Sequence, residues 1–293
     1  MFDVIIIGKG PAGLSAAIYT IRAGLKTLVI GQDKSVLLKA DRVENYFGFA
    51  EPISGKQLLE QGEKQALRLG VKFVDSEVIA LEKGEFFEVY TTDENFSCKA
   101  LLLATGQQIA KVKVDGISRF EGNGVSYCTT CDGFFYKGLK VGLLGYKDYA
   151  VHEAMELEPF SKDITIYTNG QQLQVSERFR NAAARFKINS RVIKAIDGKD
   201  ALESVVFEDG TTEELDGLFI AYDSASSIDF ARKLGVITKK NAVVVDDKQM
   251  TNLSGLFAAG DCTGGLKQVS TAVGQGALAA RQIIEYVRGL TKN

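Results

Sequence analysis

Three observations predict an α/β protein of two three-layer domains: a βαβ pattern opens the chain, a second begins at residue 140, and a strand, a turn and a long helix close it. Residues 2–7 are an apolar, β-branched run, read as a strand. Gly8, Gly10, Pro11 and Gly13 follow, then a helical pattern through Ala16, Ala17, Ile21 and Ala23, then a second strand at 27–30. Ser54 is placed to cap a helix whose apolar face carries Leu58, Leu59, Ala66 and Leu67. Strands are expected at 71–74, 78–81, 86–90 and 100–104. The second unit reads as a strand at 140–144, a helix at 151–160 and a strand at 164–167. At the end, 256–259 is a strand, Gly260-Asp261 a turn, and 269–287 a helix with small residues on one face. No low-complexity tract, long linker or short-period repeat interrupts this pattern, so the junctions are brief crossings near 106–116 and 222–229.

The chain has 293 residues, 45% of them hydrophobic and 25% charged, enough for two cores. Lysine plus arginine number 35 against 37 aspartate plus glutamate, a net charge of −2, so no global field draws it to nucleic acid or an anionic membrane. The N-terminus reaches glycine within one strand's length, with neither a basic leader nor a cleavage pattern. No apolar run approaches the roughly 18 residues that span a bilayer. Four cysteines without framework spacing suit a reducing compartment, and the cytoplasm is the expected location.

The stretch richest in chemistry is Cys128-Thr129-Thr130-Cys131-Asp132-Gly133. Two thiols separated by two residues can open and close a small disulfide, and an acid beside the second sulfur can manage its proton. The same spacing could be half of a zinc site, but Cys98 and Cys262 are isolated and His152 is the only histidine, so no metal is expected. Both ends of the chain carry nucleotide signals. Gly8-Lys9-Gly10-Pro11-Ala12-Gly13 fits G-x-G-x-x-G between strand and helix, where bare backbone admits a pyrophosphate to the helix N-terminus; a packing turn is the alternative. Asp33, after Ile30-Gly31-Gln32, is the candidate ribose acid. Thr105-Gly106 and Gly260-Asp261 end two further strands, and Asp261 either caps a helix or accepts a hydrogen bond from a flavin ribityl hydroxyl.

Together, residues 8–13, Glu44-Asn45-Tyr46, Ala104-Thr105-Gly106, residues 124–135, Ala259-Gly260-Asp261 and Lys267-Gln268 resemble the low-molecular-weight thioredoxin reductase family of flavoproteins, from end to end. The resemblance implies two nucleotide-binding-type, Rossmann-like domains. Residues 1–108 and 237–293 would form a discontinuous FAD domain, with the redox-disulfide domain, 109–236, inserted in it. It implies FAD as cofactor, with Gly8, Gly10, Pro11, Ala12, Gly13, Asp33, Asn45, Thr105, Gly106, Gly260, Asp261, Lys267 and Gln268 at its site. Cys131 would lie nearest the flavin, Cys128 would attack the disulfide of thioredoxin, and Asp132 would be the general acid. A homodimer is implied as well. His152 is expected on the first turn of its helix, away from the cysteines.

The chain departs from the family where NADPH should bind. The second glycine fingerprint is replaced by Gly145-Tyr146-Lys147-Asp148-Tyr149-Ala150, in which Lys147 takes the place of the second glycine and Tyr146 crowds the turn. Residues 168–172, Thr-Asn-Gly-Gln-Gln, offer no cation for a 2′-phosphate, and Arg178 and Arg180 read as solvated charges on a helix. The chain therefore most resembles the ferredoxin-dependent flavin thioredoxin reductases, which pass electrons from reduced ferredoxin through FAD and the Cys128–Cys131 disulfide to thioredoxin. Two other readings stay open at this point: a disulfide reductase of the same family using NAD(P)H or another donor, and a non-catalytic flavoprotein redox sensor.

Overall fold

Val4, Ile5, Ile6 and Ile7 are all buried, so β1 (Phe2–Ile7) belongs inside a sheet with cover on both faces. The computed structural model, which describes residues 1–106 and 112–290, places it there. From β1 the chain turns into α1 (Pro11–Arg22), whose first residue has no N–H to leave unbonded, and returns as β2 (Thr27–Ile30), parallel to β1. Ser54 caps α2 (Gly55–Arg68): its hydroxyl accepts the Gln57 N–H at 3.2 Å, and the Gln57 carbonyl oxygen accepts the Ser54 N–H at 3.2 Å. β3 (Lys72–Val74) pairs with β2, and β4 (Val78–Lys83), β5 (Phe87–Thr91) and β6 (Asn95–Leu103) form an antiparallel meander. β6 starts earlier than the apolar run at 100–104 suggested. Its first part, 95–98, pairs with β5 and mixes polar with apolar residues, while the fully buried 100–103 lies beside β1.

The chain divides into two compact units, Met1–Gln108 with Ser226–Asn293, and Ile109–Ala225. The second contains β7 (Val125–Ser126), α3 (Thr129–Asp132), β8 (Lys140–Leu144), α4 (Asp148–Leu157), β9 (Asp163–Tyr167) and α5 (Glu177–Ala183). It continues through β10 (Lys187–Asn189), β11 (Ile193–Asp197), β12 (Ser204–Phe207), β13 (Thr212–Glu214) and β14 (Gly217–Ile220). Among the described residues, five of these strands run parallel in the order β10-β9-β8-β14-β7, and β11, β12 and β13 form an antiparallel sheet. Tyr167, Phe207, Phe120 and Leu218 are at the centre of the unit's core. Strands β10 to β14 are absent from the sequence reading because they are short and most of them mix polar with apolar residues, as in Ile193–Asp197 and Thr212–Glu214.

Return to the first unit is marked by α6 (Ser227–Lys233), which Ser226 and Asp229 cap reciprocally. The Thr105 hydroxyl oxygen accepts the Ser227 N–H at 3.0 Å and lies 2.7 Å from its hydroxyl. These bonds fasten α6 to the first unit, so the division falls at 225–226, within the 222–229 crossing and ahead of the 236–237 boundary that the resemblance implied. The other boundary, 108–109, lies outside the described residues. After β15 (Thr238–Lys239) and β16 (Ala242–Val243), β17 (Leu256–Ala258) pairs with Leu101 to Leu103 of β6. The first sheet therefore runs β3-β2-β1-β6-β5-β4, with β17 beside the part of β6 that β5 does not cover. Both units are Rossmann-like α/β folds.

α7 (Val269–Leu290) packs on α1 through Ala12, Ala16, Gly276, Ala279 and Ala280, and Ser15 donates to the Val273 carbonyl at 2.8 Å. A Cβ on Gly276 would stand 2.2 Å from the Ala12 carbonyl oxygen. Among the described residues no helix is long and apolar enough to cross a membrane. Gly276→Val is expected to cost about 3 kcal/mol of stability, because backbone must move to admit the side chain. Denaturant unfolding followed by circular dichroism measures this, and a loss under about 0.5 kcal/mol would contradict the packing described.

Candidate active site

Cys128 and Cys131 are joined in a disulfide on the single turn of α3, with Cys128 at its N-cap. The Cys131 N–H points at the Cys128 sulfur from 3.1 Å, so a thiolate formed there on reduction would meet a backbone donor. Cys128 is 5% exposed, whereas Cys131 opens to solvent. Ser126 ties the neighbourhood together: its hydroxyl donates to Asp132 Oδ2 at 2.6 Å and accepts the Cys128 N–H at 3.0 Å. Gly133 lies close against Phe160, whose ring a Cβ would meet at 2.9 Å. Burial pushes the thiols of Cys98 and Cys262 up to about 12 and about 11, so both stay protonated and unreactive near neutral pH.

Beneath the turn, the Thr129 hydroxyl donates to Glu153 Oε2 at 2.7 Å, and Glu153 is 1% exposed. His152 Nδ1 lies 3.3 Å from the other oxygen of Glu153. His152 is thus on the second turn of α4 and one side chain from the cysteine turn, closer than its place in the sequence implied. Ser126, Thr129 and Glu153 escape sequence reasoning as functional residues. The available signal was a carboxylate set among the buried Tyr149, Ala150, Ala154 and Leu157 of α4.

In the first unit the strand order reverses between β1 and β6, and the turns after them share one crevice. Gly8 takes φ +117°, and a Cβ there would lie 2.2 Å from the Ala104 carbonyl oxygen. A Cβ on Gly13 would lie 2.0 Å from the Gly8 carbonyl oxygen, but one on Gly10 would meet nothing within 4 Å. Gly10 thus leaves open space before Pro11 and Ala12, at a helix N-terminus that no side chain caps. That is a cradle a pyrophosphate fits. Gly260 brings a third strand end to it, since its Cβ would stand 3.0 Å from Ala12 Cβ, and its N–H donates to Gln275 at 2.8 Å.

The remaining predicted site residues divide into those gathered near this cradle and those held elsewhere. Thr105 is tied to Ser227, as described, and Gly106 follows it. Asp261 sits in a short turn, Asp261–Thr263, well before α7, so it does not cap that helix. Burial raises its carboxyl above the usual range, and Lys267 acts in the opposite sense. Asn45 donates to Gln268 Oε1 at 2.9 Å, joining residues far apart in the chain. Asp33 is exposed and ion-paired to Lys9 at 2.7 Å, so its carboxylate already has a cationic partner.

The second unit repeats the topology, with the reversal between β8 and β14, but its crevice is filled. Gly145 keeps the close approach, its would-be Cβ 2.2 Å from the Ala221 carbonyl oxygen. Beyond it, the Lys147 ammonium pairs with Asp223, and the Tyr146 hydroxyl donates to the same carboxylate oxygen at 3.2 Å. The Tyr146 and Tyr222 rings meet edge to face at 5.1 Å. Arg178 and Arg180 are exposed on α5.

A family model described as pyridine nucleotide-disulphide oxidoreductase matches residues 2–276. The chain is 34% identical to the thioredoxin reductase of Aquifex aeolicus, over 100% of this chain and 95% of that one. It superposes on the crystal structure of the atypical thioredoxin reductase TRi from Desulfovibrio vulgaris Hildenborough with a TM-score of 0.93 at 42% identity, covering 99% of each chain. A ferredoxin-flavin thioredoxin reductase from Clostridium acetobutylicum is similar at a TM-score of 0.70 and 29% identity, covering 100% of this chain and 99% of that one.

Ser126→Ala removes both bonds of the hydroxyl that joins Cys128 to Asp132. It is expected to lower the stability of the oxidised protein by about 1–2 kcal/mol. Thermal unfolding with the disulfide intact tests this, and an unchanged transition would mean that the hydroxyl is dispensable to the turn.

Proposed function

The chain belongs to the pyridine nucleotide-disulphide oxidoreductase family, among its FAD-dependent thioredoxin reductases, and we propose that it reduces thioredoxin with electrons from reduced ferredoxin. The observation that carries this reading is the filled crevice between β8 and β14, where a pyridine nucleotide would need bare backbone. The balance is two reduced ferredoxins, one thioredoxin disulfide and two protons giving two oxidised ferredoxins and one dithiol. With about −400 mV for a plant-type ferredoxin and about −270 mV for thioredoxin, the reaction releases roughly 6 kcal/mol per electron pair. The resemblance adds a homodimer and a cytoplasmic location to the proposal.

In this reading the cradle at Gly8, Gly10, Pro11, Ala12 and Gly13 would hold the pyrophosphate of FAD, and Thr105, Gly106, Gly260, Asp261, Lys267, Asn45 and Gln268 would be its further contacts. Bound there, it supplies a centre that accepts electrons singly and delivers them as a pair. The chain's own chemistry lies at α3. Once the disulfide is reduced, the Cys128 thiolate attacks one sulfur of the thioredoxin disulfide, forming a mixed disulfide and releasing the other sulfur as a thiolate. Cys131 then attacks Cys128 Sγ, which closes the intramolecular disulfide and frees the second thioredoxin sulfur. Asp132, held by Ser126, supplies the proton to a leaving sulfur. Since Cys128 is buried in the oxidised turn, its attack requires the reduced turn to present that sulfur.

Anaerobic spectra of the bound flavin test the donor. Reduced ferredoxin should bleach it and drive thiol release from thioredoxin, and NADPH should do neither; rapid bleaching by NADPH with turnover would overturn the reading. Trapping tests the cysteines. Cys131→Ser should accumulate a thioredoxin adduct on Cys128, and Cys128→Ser should accumulate none; mass spectrometry locating an adduct on Cys131 in the latter would reverse the roles.

A further inference from the structure

We infer that Asp223 is a specificity-determining residue that keeps dinucleotides out of the second crevice, by holding Lys147 and Tyr146 across it. This rests on the reading that the electron donor is not a pyridine nucleotide. In an open parallel sheet, ligands bind beyond the carboxyl ends of the strands where the order reverses. Here those ends are β8, leading to Gly145, Tyr146 and Lys147, and β14, leading to Ala221, Tyr222 and Asp223.

The backbone of a nucleotide turn is intact. Gly145 still lets the chain pass against Ala221, and a ten-residue helix, α4, still begins at Asp148. What differs is that side chains from both lips meet in the space between. The Lys147 ammonium reaches Asp223, and its Nζ lies 5.3 Å from the centre of the Tyr146 ring. Tyr146 donates to the oxygen of Asp223 that Lys147 pairs with, and its own carbonyl accepts the Gln174 N–H at 2.7 Å. A cation and a hydroxyl thus converge on one carboxylate, as protein donors converge on a phosphate oxygen.

Asp223 also adopts φ +68°, in the left-handed region that aspartate visits more readily than most non-glycine residues. Its carboxylate is held by Lys147 and Tyr146. The carboxylate has a second effect besides anchoring them. If both were trimmed away, the turn would have room for a diphosphate, but a partly buried negative charge would still face it. Bulk at 146 and 147 and charge at 223 exclude a dinucleotide independently, so a glycine-rich turn alone does not restore the site.

The test is calorimetric titration of the FAD-loaded protein with ADP, which offers the diphosphate and adenosine without the 2′-phosphate. Tyr146→Gly/Lys147→Gly should bind no better than the parent chain. Adding Asp223→Gly, which suits the left-handed backbone, should tighten ADP binding by at least about tenfold, the scale of one unpaired charge near an anion. Adding Asp223→Asn to the same pair tests charge with the side chain's shape retained, and serves if the glycine-rich triple variant does not fold. Flavin absorbance and the unfolding transition verify that each variant is intact. Equal ADP binding with and without Asp223, or no binding by an intact triple variant, would overturn the inference and leave the ferredoxin reading standing. Reduction of the parent chain by NADPH would overturn both.

Discussion

Both units depend on how closely two strand ends can approach when no Cβ stands between them. Gly8 against Ala104 and Gly145 against Ala221 are the same contact made twice, each 2.2 Å from where a Cβ would be. In each case a parallel strand ends beside its neighbour at the point where strand order reverses, and a helix starts within a few residues. The two units share this backbone geometry, and the side chains that follow decide what occupies it. Gly10 leaves the first crevice bare, while Tyr146 and Lys147 fill the second.

The redox turn works on a different principle. A lone helical turn has little stability of its own, so α3 is held by polar contacts on two sides. Ser126 binds Cys128 and Asp132 from the strand that precedes the turn, and Glu153 binds Thr129 from beneath. A carboxylate buried as deeply as Glu153 is expensive unless hydrogen-bonded, so its bond to Thr129 fixes both side chains. The arrangement anchors the turn at both ends while Cys131 faces solvent.

Much of this architecture was legible because it is local. The apolar run at 2–7 reads as a strand from its composition, and Ser54 marks the start of a helix. Pairings between distant residues were not visible. Asp223 looks like any loop aspartate until Lys147 is seen opposite it, and Glu153 looks like a solvated helix residue until Thr129 is placed above it. Nothing in the sequence places Lys9 against Asp33 either. Such contacts depend on tertiary packing, which local pattern does not encode.

β6 is the spine of the first sheet, with β1 along one edge and both β5 and β17 along the other. Because β17 and α7 follow the inserted unit, the ribosome finishes Ile109–Ala225 before it makes the last strand and helix of the unit that began first. At about 5–20 residues per second, the interval from β6 to β17 is roughly eight to thirty seconds. During it, residues 101–103 of β6 present an unpaired edge and α1 an uncovered small-residue face. The inserted unit is one continuous stretch of chain, fully synthesised by then. The discontinuous unit is thus the later of the two to close, and until then its sheet offers an open edge to other chains.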